Sequence, residues 1–173
     1  MKASLRFALF VCLCAVFPAL AVGQSLSTLQ IDVKNLEAHI DHLLAYEQEL
    51  AKMRSTIAPD ETGILDALNQ DVTQTTDHLM AIETMINMFN NIQTKSDRDG
   101  TRPILMAYLR LNSDYSEKQA KRIASTARQS KTPAVTQIAS KIQNELHASI
   151  LTLKTIAITI QFDATGKTHR EDK

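Results

Sequence analysis

Two histidines in the first third of the sequence have the spacing of a metal-ligand pair. His39 and His42 lie three residues apart, so a helix would place both imidazoles on one side. Zinc sites use three or four protein ligands, and the sequence identifies no further ligand that converges on this pair. We therefore expect solvated histidines here, with no metal site and no cofactor.

Three methionines form a second group with possible metal chemistry. Met80, Met85 and Met88 follow His78, and thioether sulfurs suit copper(I). Two of these methionines stand next to large apolar residues, where the flexible methionine side chain usually fills a core or lines a groove. The spacing therefore favours core or groove lining over copper binding.

The sequence lacks the signatures of nucleophilic catalysis and of phosphate binding. It contains no strand-turn-helix serine motif, and its glycines form no phosphate-binding run. Cys12 and Cys14 are the only cysteines, and both fall in an N-terminal segment that we expect to be removed. The histidines available as bases, none beside a recognisable nucleophile, are His39, His42, His78, His147 and His169. We predict that the protein is not an enzyme.

Charge is distributed unevenly along the chain. Residues 24–94 carry 3 basic and 11 acidic side chains, whereas residues 95–131 carry 9 basic and 4 acidic ones. A nucleic-acid-binding domain would be basic as a whole, so we expect no nucleic-acid partner. The basic strip of the third helical unit comprises Lys118, Lys121, Arg122 and Arg128. We expect it to face the acidic first half, with an anionic ligand as the alternative.

The N-terminal segment has the features of a secretory signal. A basic start precedes an apolar run over residues 7–17, and small residues follow up to Gly23. The run is shorter than the roughly 20 apolar residues that span a bilayer, and no later stretch is apolar over that length. We predict a signal peptide at 1–23, one helical domain at 24–162 and a disordered tail at 163–173. The mature protein would be secreted, or periplasmic in a Gram-negative source.

Apolar residues recur every three or four positions along most of the chain, which is the period of an amphipathic helix. This spacing predicts a first helix over 26–57 and, after a break at 58–60, a second helix that completes a long hairpin. The seam of the second helix is the most regular and consists of Leu65, Leu68, Val72, Thr75, Leu79, Ile82, Ile86 and Phe89. Such a seam requires burial.

The second half of the chain predicts further helices. The polar stretch 94–102 predicts the main loop, and Pro103 stands at the start of a third helical unit. The predicted seam of this unit is Ile104, Tyr108, Leu111 and Tyr115, followed by Ile123 and Ala127. The polar residues 112–114 predict an interruption, which would divide the unit into two short helices.

The last predicted helix begins at Pro133 after the capping residue Thr132 and ends near Ile160. Its seam is Val135, Ile138, Ile142, Leu146, Ile150, Leu153 and Ile156. Residues 156–162 alternate as in a strand, but a lone strand would have no partner, so we interpret them as the end of the helix. The predicted fold is an all-α, antiparallel up-and-down bundle of four to five helices with a long N-terminal helical hairpin.

Four segments carry a family resemblance: Leu29, Ile31, Asp32, Val33, Leu36, Ile40, Leu43 and Tyr46; Ile64 to Leu68 with Asp71; Pro103, Ile104 and Leu105 leading to Tyr115; and Gln137, Ile138, Ala139, Ile142, Leu146, Ala148 and Leu151. They resemble the fungal hydrophobic surface-binding protein A family and the related cell wall mannoproteins. The resemblance implies a secreted helical bundle without catalysis, which adsorbs to apolar surfaces or accepts fatty acyl chains between its helices. The sequence departs from the mannoproteins in lacking a serine/threonine-rich tail.

Two functional hypotheses follow. The first is a secreted, non-enzymatic protein that binds hydrophobic surfaces or fatty acyl ligands through an apolar lining. The lining residues predicted for it are Leu79, Ile82, Met85, Ile86, Phe89, Ile142 and Leu146. The alternative is a bacterial periplasmic or secreted interaction module, in which the N-terminal hairpin pairs with helices of a protein partner.

Overall fold

The computed structural model describes residues 30–165, with side chains described as far as Phe162. In this range the chain forms four α-helices: α1 (Lys34–Met53), α2 (Thr62–Asn90), α3 (Lys95–Ala127) and α4 (Pro133–Thr165). A 3₁₀ turn at Pro59–Glu61 precedes α2. The described residues contain no strand, which confirms the all-helical class. The predicted signal peptide and residues 166–173 lie outside the described residues.

The four helices surround one apolar core. Each helix packs against the next one in the chain, and α4 also packs against α1. Within residues 30–165, α1 and α3 do not touch, while α2 and α4 meet only briefly. The α1–α4 and α2–α3 interfaces therefore lie on opposite sides of the core.

The seams predicted for α2 and α4 are confirmed. Every predicted position on α2 is buried, including Thr75, whose hydroxyl donates a hydrogen bond of 2.8 Å to the carbonyl of Asp71. Every predicted position on α4 is buried as well. Full burial of one leucine or isoleucine stabilises a fold by about 1.5–3 kcal/mol, so these two seams supply much of the driving force.

The first helix is shorter than the period predicts. It begins at Lys34 and ends at Met53, whereas the spacing predicted a helix over 26–57. The residues just before it are held outside the helix, because the Asn90 carboxamide pairs with the backbone of Ile31. The Asp32 carboxylate then accepts the backbone N–H of Lys34 at 2.9 Å, which favours a helix start at that point.

The predicted loop at 94–102 is wrong, because α3 already begins at Lys95. Thr94 caps the helix: its hydroxyl oxygen accepts the backbone N–H of Asp97 at 3.2 Å. Asp99 then bonds within the helix to Lys95 and, at 2.6 Å, to Arg102. These local interactions stabilise a polar first stretch that has few large apolar residues.

The predicted division of the third unit is also wrong, since α3 is continuous to Ala127. Pro103 lies inside the helix rather than at its start. The polar residues at 112–114 do not interrupt it, because their side chains bond back to their own helix. The Asn112 carboxamide donates to the Tyr108 carbonyl at 2.8 Å, and the Ser113 hydroxyl donates to the Leu109 carbonyl at 2.9 Å.

The last helix extends beyond the predicted end. It begins at Pro133, as predicted, and continues to Thr165 rather than ending near Ile160. The alternating residues 156–162 are helical, with Ile156 and Ile160 buried. Their four-residue spacing matches the core side of a helix as well as one face of a strand.

Candidate functional site

The residues predicted to line a ligand site lie in the core. Six of them are buried: Leu79, Ile82, Ile86 and Phe89 on α2, and Ile142 and Leu146 on α4. Met85 is half-buried and packs against the same core. None of the seven lines either of the two surface concavities described below. A ligand would therefore reach the six buried side chains only if the helices separated.

An exposed apolar surface lies on the side of α3 that faces away from the core. Pro103, Ile104, Ala107, Tyr108 and Leu111 line a surface concavity of about 480 Å³, which we call the α3 apolar face. Ile104 is 54% exposed and Leu111 is 65% exposed. These five residues share one side of the helix because they recur at steps of one, three and four. The face is apolar almost throughout; Tyr108 at its edge also packs against the core, whereas Ile104 and Leu111 are mostly in solvent.

This geometry corrects the first part of the seam predicted for the third unit, because Ile104 and Leu111 are exposed, whereas its last two positions, Ile123 and Ala127, are buried as predicted. The core instead takes the side of α3 that begins one position later, with Leu105 and Leu109 buried. A continuous helix explains the difference, because the spacing that would bury Ile104 would also bury Lys118 and Arg122 four and five turns later. The predicted interruption at residues 112–114 would let the segments before and after it bury different helix sides, but the helix is continuous there.

Two contacts fix the register of α2 against α3. The His78 and Tyr115 rings lie 4.2 Å apart between centroids. Further along, the Arg98 guanidinium lies 4.4 Å from the centre of the Phe89 ring, in a cation–π contact. The α2 segment between these contacts, which includes the half-exposed Met88, therefore runs along residues 98–115 of α3, the stretch that contains the α3 apolar face.

The second concavity is smaller and more polar. It has a volume of about 160 Å³ and lies between the end of α3 and the start of α4. Its lining includes Ala127, Arg128, Thr136 and Ser140. It offers less apolar contact than the α3 apolar face.

A compact polar cluster joins α1 to α4 on the other side of the molecule. His39 Nδ1 lies 2.5 Å from one carboxylate oxygen of Glu145, and His42 Nδ1 lies 3.1 Å from the other. His39 Nε2 lies 2.9 Å from the Thr152 hydroxyl. A carboxylate has no proton to give, so Nδ1 of His39 donates and, in the neutral ring, Nε2 accepts from Thr152. The two histidines share one helix side as predicted, but the prediction of solvated side chains is wrong for His39, which is 16% exposed and pairs with Glu145. Sequence spacing does not reveal a partner 106 residues away.

The order of contacts in this cluster is that of a nucleophile, a base and an orienting carboxylate. Thr152, His39 and Glu145 would fill these three roles. Acyl transfer also needs hydrogen-bond donors for an oxyanion, which backbone N–H groups usually supply. Thr152 lies inside the continuous helix α4, where backbone N–H groups bond to carbonyls of the same helix. The cluster therefore has the chemistry of a tether between helices.

The described side chains contain no metal centre. No group of three or more His, Cys, Asp or Glu side chains among them is placed to hold a metal ion. The Glu145 carboxylate lies between the two imidazoles, so each ring occupies a different oxygen. Met80 and Met88 are exposed, whereas Met85 packs against the core.

Within residues 30–165, one ion pair joins the basic strip to the acidic half. Arg122 Nε lies 3.1 Å from a carboxylate oxygen of the fully buried Asp71 on α2, although neither Asp71 oxygen has a well-aligned hydrogen bond. Burial raises the pKa of the Asp71 carboxyl, and the Arg122 charge only partly opposes this. Lys121 pairs with Glu117 on its own helix at 2.8 Å. Lys118 is exposed, so the broad docking of the strip on the first half is not observed.

Comparison with known proteins gives no match: no family model fits the chain, and no curated protein or solved structure is significantly similar to it. None of the helices in residues 30–165 combines the length and hydropathy needed to cross a membrane.

Proposed function

We propose that this chain is a secreted, non-enzymatic helical protein that binds hydrophobic surfaces through the α3 apolar face. The observation that carries the proposal is that α3 has two apolar sides. The side with Leu105 and Leu109 is buried in the core. The second side leaves Ile104 and Leu111 mostly in solvent. We infer a binding surface from these adjoining exposed apolar side chains on one side of the helix.

The wider architecture in this proposal is an antiparallel up-and-down bundle whose first two helices form a hairpin. Contacts at both ends of that pair support it. Ile31, before α1, bonds to Asn90 at the end of α2, and Arg54, after α1, forms a 2.8 Å ion pair with Asp66 near the start of α2. The export of the chain and the family resemblance belong to the same proposal.

Methionines on α2 extend the proposed surface. Met88 is half exposed and Met85 is half-buried, and both lie in the α2 segment that runs along residues 98–115 of α3. Methionine side chains adapt to irregular and flexible apolar partners, such as alkyl chains. Of the predicted lining residues, Met85 is thus the one that this proposal places at the binding surface.

Adsorption to alkylated silica beads tests the proposal. The test variant is Ile104→Gln with Leu111→Gln, and we expect its affinity for the beads to fall at least about tenfold, since two large apolar contacts are lost. The matched control is Leu151→Gln with Ile158→Gln on α4, because these two residues are 66% and 54% exposed and lie outside the concavity. The control should adsorb like the unmodified protein.

Two results would contradict the proposal. One is equal loss of adsorption in both double variants, which would mean that exposed apolar residues contribute wherever they lie. The other is unchanged adsorption of the Ile104→Gln, Leu111→Gln variant. Native mass spectrometry with a long-chain fatty acid adds a separate readout. A retained acyl adduct in that variant would point to a site between the helices instead.

A further inference from the structure

We propose that His39, His42 and Glu145 form a proton-operated clamp, which holds α1 more tightly against α4 when the histidines are protonated. The geometry has one carboxylate between two imidazoles, with each oxygen facing one ring. Both histidines belong to α1 and Glu145 belongs to α4, so each of these contacts crosses the interface. His39 and Glu145 are largely buried, which strengthens the interaction relative to a surface pair.

Few other charged groups face the cluster. On α1, Tyr46 lies near Glu145 and also near Glu49, which in turn lies 3.7 Å from Lys141 of α4. Burial, then the negative charges of Glu145 and Glu49, raise the pKa of the Tyr46 phenol, so this group stays neutral over the pH range considered. Among the described residues, no side chain of α2 or α3 forms a hydrogen bond or ion pair with the three cluster residues. The charge of the clamp is therefore set mainly by the two histidines.

The direction of the pH effect follows from the charges. Imidazoles change charge between about pH 5 and pH 8, where an ordinary carboxyl is already ionised. With neutral rings the cluster carries the single negative charge of Glu145. His39 then donates a hydrogen bond to a charged acceptor, and the first proton adds a positive charge beside that carboxylate, which converts the hydrogen bond into an ion pair. The clamp is therefore tightest on the acidic side of this range and weakens as the pH rises.

Release of the clamp would act on α1. This helix is the shortest of the four, with 20 residues, and it packs only against α2 and α4. Its contribution to the core consists of Leu36, Ile40, Leu43 and Leu50. Movement of α1 away from α4 would uncover this apolar surface, so the proton level would control access to the core.

Hydrogen exchange measures this opening directly. After correction for intrinsic exchange, we expect the opening constant of the Ile40 and Leu43 amides to rise about tenfold from about pH 5.5 to about pH 8, the order of effect expected when an ion pair is replaced by a hydrogen bond to one charged group. In a variant with His39→Gln and His42→Gln, the part of this rise that comes from the clamp should be lost. The matched control is His147→Gln, an exposed histidine on α4 outside the cluster, which should keep the full rise.

Other titrating groups, such as Asp71, affect all three proteins equally and cancel in the comparison. If the double variant does not fold, His42→Gln alone serves, because His42 is 60% exposed and should lose part of the rise. An opening constant that is independent of pH in the unmodified protein would overturn the proposal. So would a rise in the histidine variant that is as large as the rise in the His147→Gln control. The test is independent of surface adsorption, since no clamp residue belongs to the α3 apolar face.

Discussion

Asn90 and Ile31 exchange two hydrogen bonds across the ends of α2 and α1. The Ile31 N–H donates to the Asn90 side-chain oxygen, and the Asn90 NH₂ donates to the Ile31 carbonyl, each at 2.9 Å. The Asn90 side-chain amide thus pairs with both backbone groups of Ile31, as the backbone of a neighbouring strand would. The pairing satisfies backbone groups that precede the first helix and fixes the point where the chain enters the bundle.

Replacement of Asn90 by alanine should destabilise the protein by about 1–3 kcal/mol, because the partly buried backbone groups of Ile31 lose both partners. The measurement is the midpoint of urea unfolding. Asn91→Ala is the matched control, since the Asn91 side chain is exposed and its amide donates to the carbonyl of Asn87 on its own helix. An effect no larger than that of the control would mean that Ile31 is not anchored by this amide.

Asp71→Asn should raise the stability at neutral pH. Burial raises the folded-state pKa of this carboxyl, and the nearby Arg122 lowers it by less. The ionised form of Asp71 is therefore disfavoured in the folded protein. The stability falls as the pH rises from the pKa of Asp71 in the unfolded chain through its pKa in the folded protein. The variant removes this loss, and a gain of about 1 kcal/mol would raise Tm by roughly 2–4 °C.

Thermal unfolding at pH 7.5 and at pH 4 tests this sign. The gain should shrink at the lower pH, where Asp71 approaches its neutral form. Asp66→Asn is the control, because Asp66 forms an exposed ion pair with Arg54 and should change stability little. A lower Tm for Asp71→Asn at pH 7.5 would show that the Arg122 pair outweighs the burial of the charge.

Glu61 should make the opposite contribution. Its carboxylate accepts the Ser130 hydroxyl and, at 2.9 Å, the Lys131 N–H, and so connects the turn before α2 to the α3–α4 loop. The Ser130 hydrogen bond lowers the pKa of Glu61 most, burial opposes it, and the Lys131 N–H adds to the lowering. Because the pKa of Glu61 is lowered in the folded protein, its carboxylate stabilises the fold above the ordinary pKa of 4.5. This stabilisation is lost as the pH falls through the pKa of Glu61 in the folded protein.

Glu61→Gln should therefore lower Tm at pH 7 and flatten its decline between about pH 5 and pH 2. Tm measured over this range for the variant and for Asp60→Asn makes the comparison, since Asp60 is the exposed neighbour of Glu61. If both variants keep the decline of the unmodified protein, Glu61 does not contribute to acid unfolding.

Much of the fold is predictable from the sequence because two seams are regular. On α2, apolar residues follow one another from Leu65 to Phe89 at steps of three and four, and only one helix side satisfies them. On α3 two sides compete, one through Ile104 and one through Leu105. Only the continuity of the helix past residues 112–114 selects the second. That continuity depends on side chains that bond back to their own helix, which sequence patterns treat as helix breakers.

The candidate sites were harder to predict for a related reason. The spacing of Ile104 and Leu111 shows that they share a helix side, but it does not show whether that side is buried or exposed. The sequence predicts that His39 and His42 share a helix side, because they are three residues apart. It does not predict their partner Glu145, which is 106 residues from His39. Local periodicity identifies residues that share a helix side, whereas partners across an interface depend on the register between helices.

Ile104 and Leu111 are the proposed contacts with the hydrophobic surface, and a single introduced tryptophan can report on such a contact. The sequence contains no tryptophan, so an introduced one reports on one position. Leu111→Trp and Leu151→Trp place the reporter at leucines that are 65% and 66% exposed. On addition of alkylated nanoparticles, the account predicts a blue-shifted emission for Leu111→Trp and an unchanged emission for Leu151→Trp. Adsorbed protein in which Leu111→Trp keeps its solvent-exposed emission would contradict it.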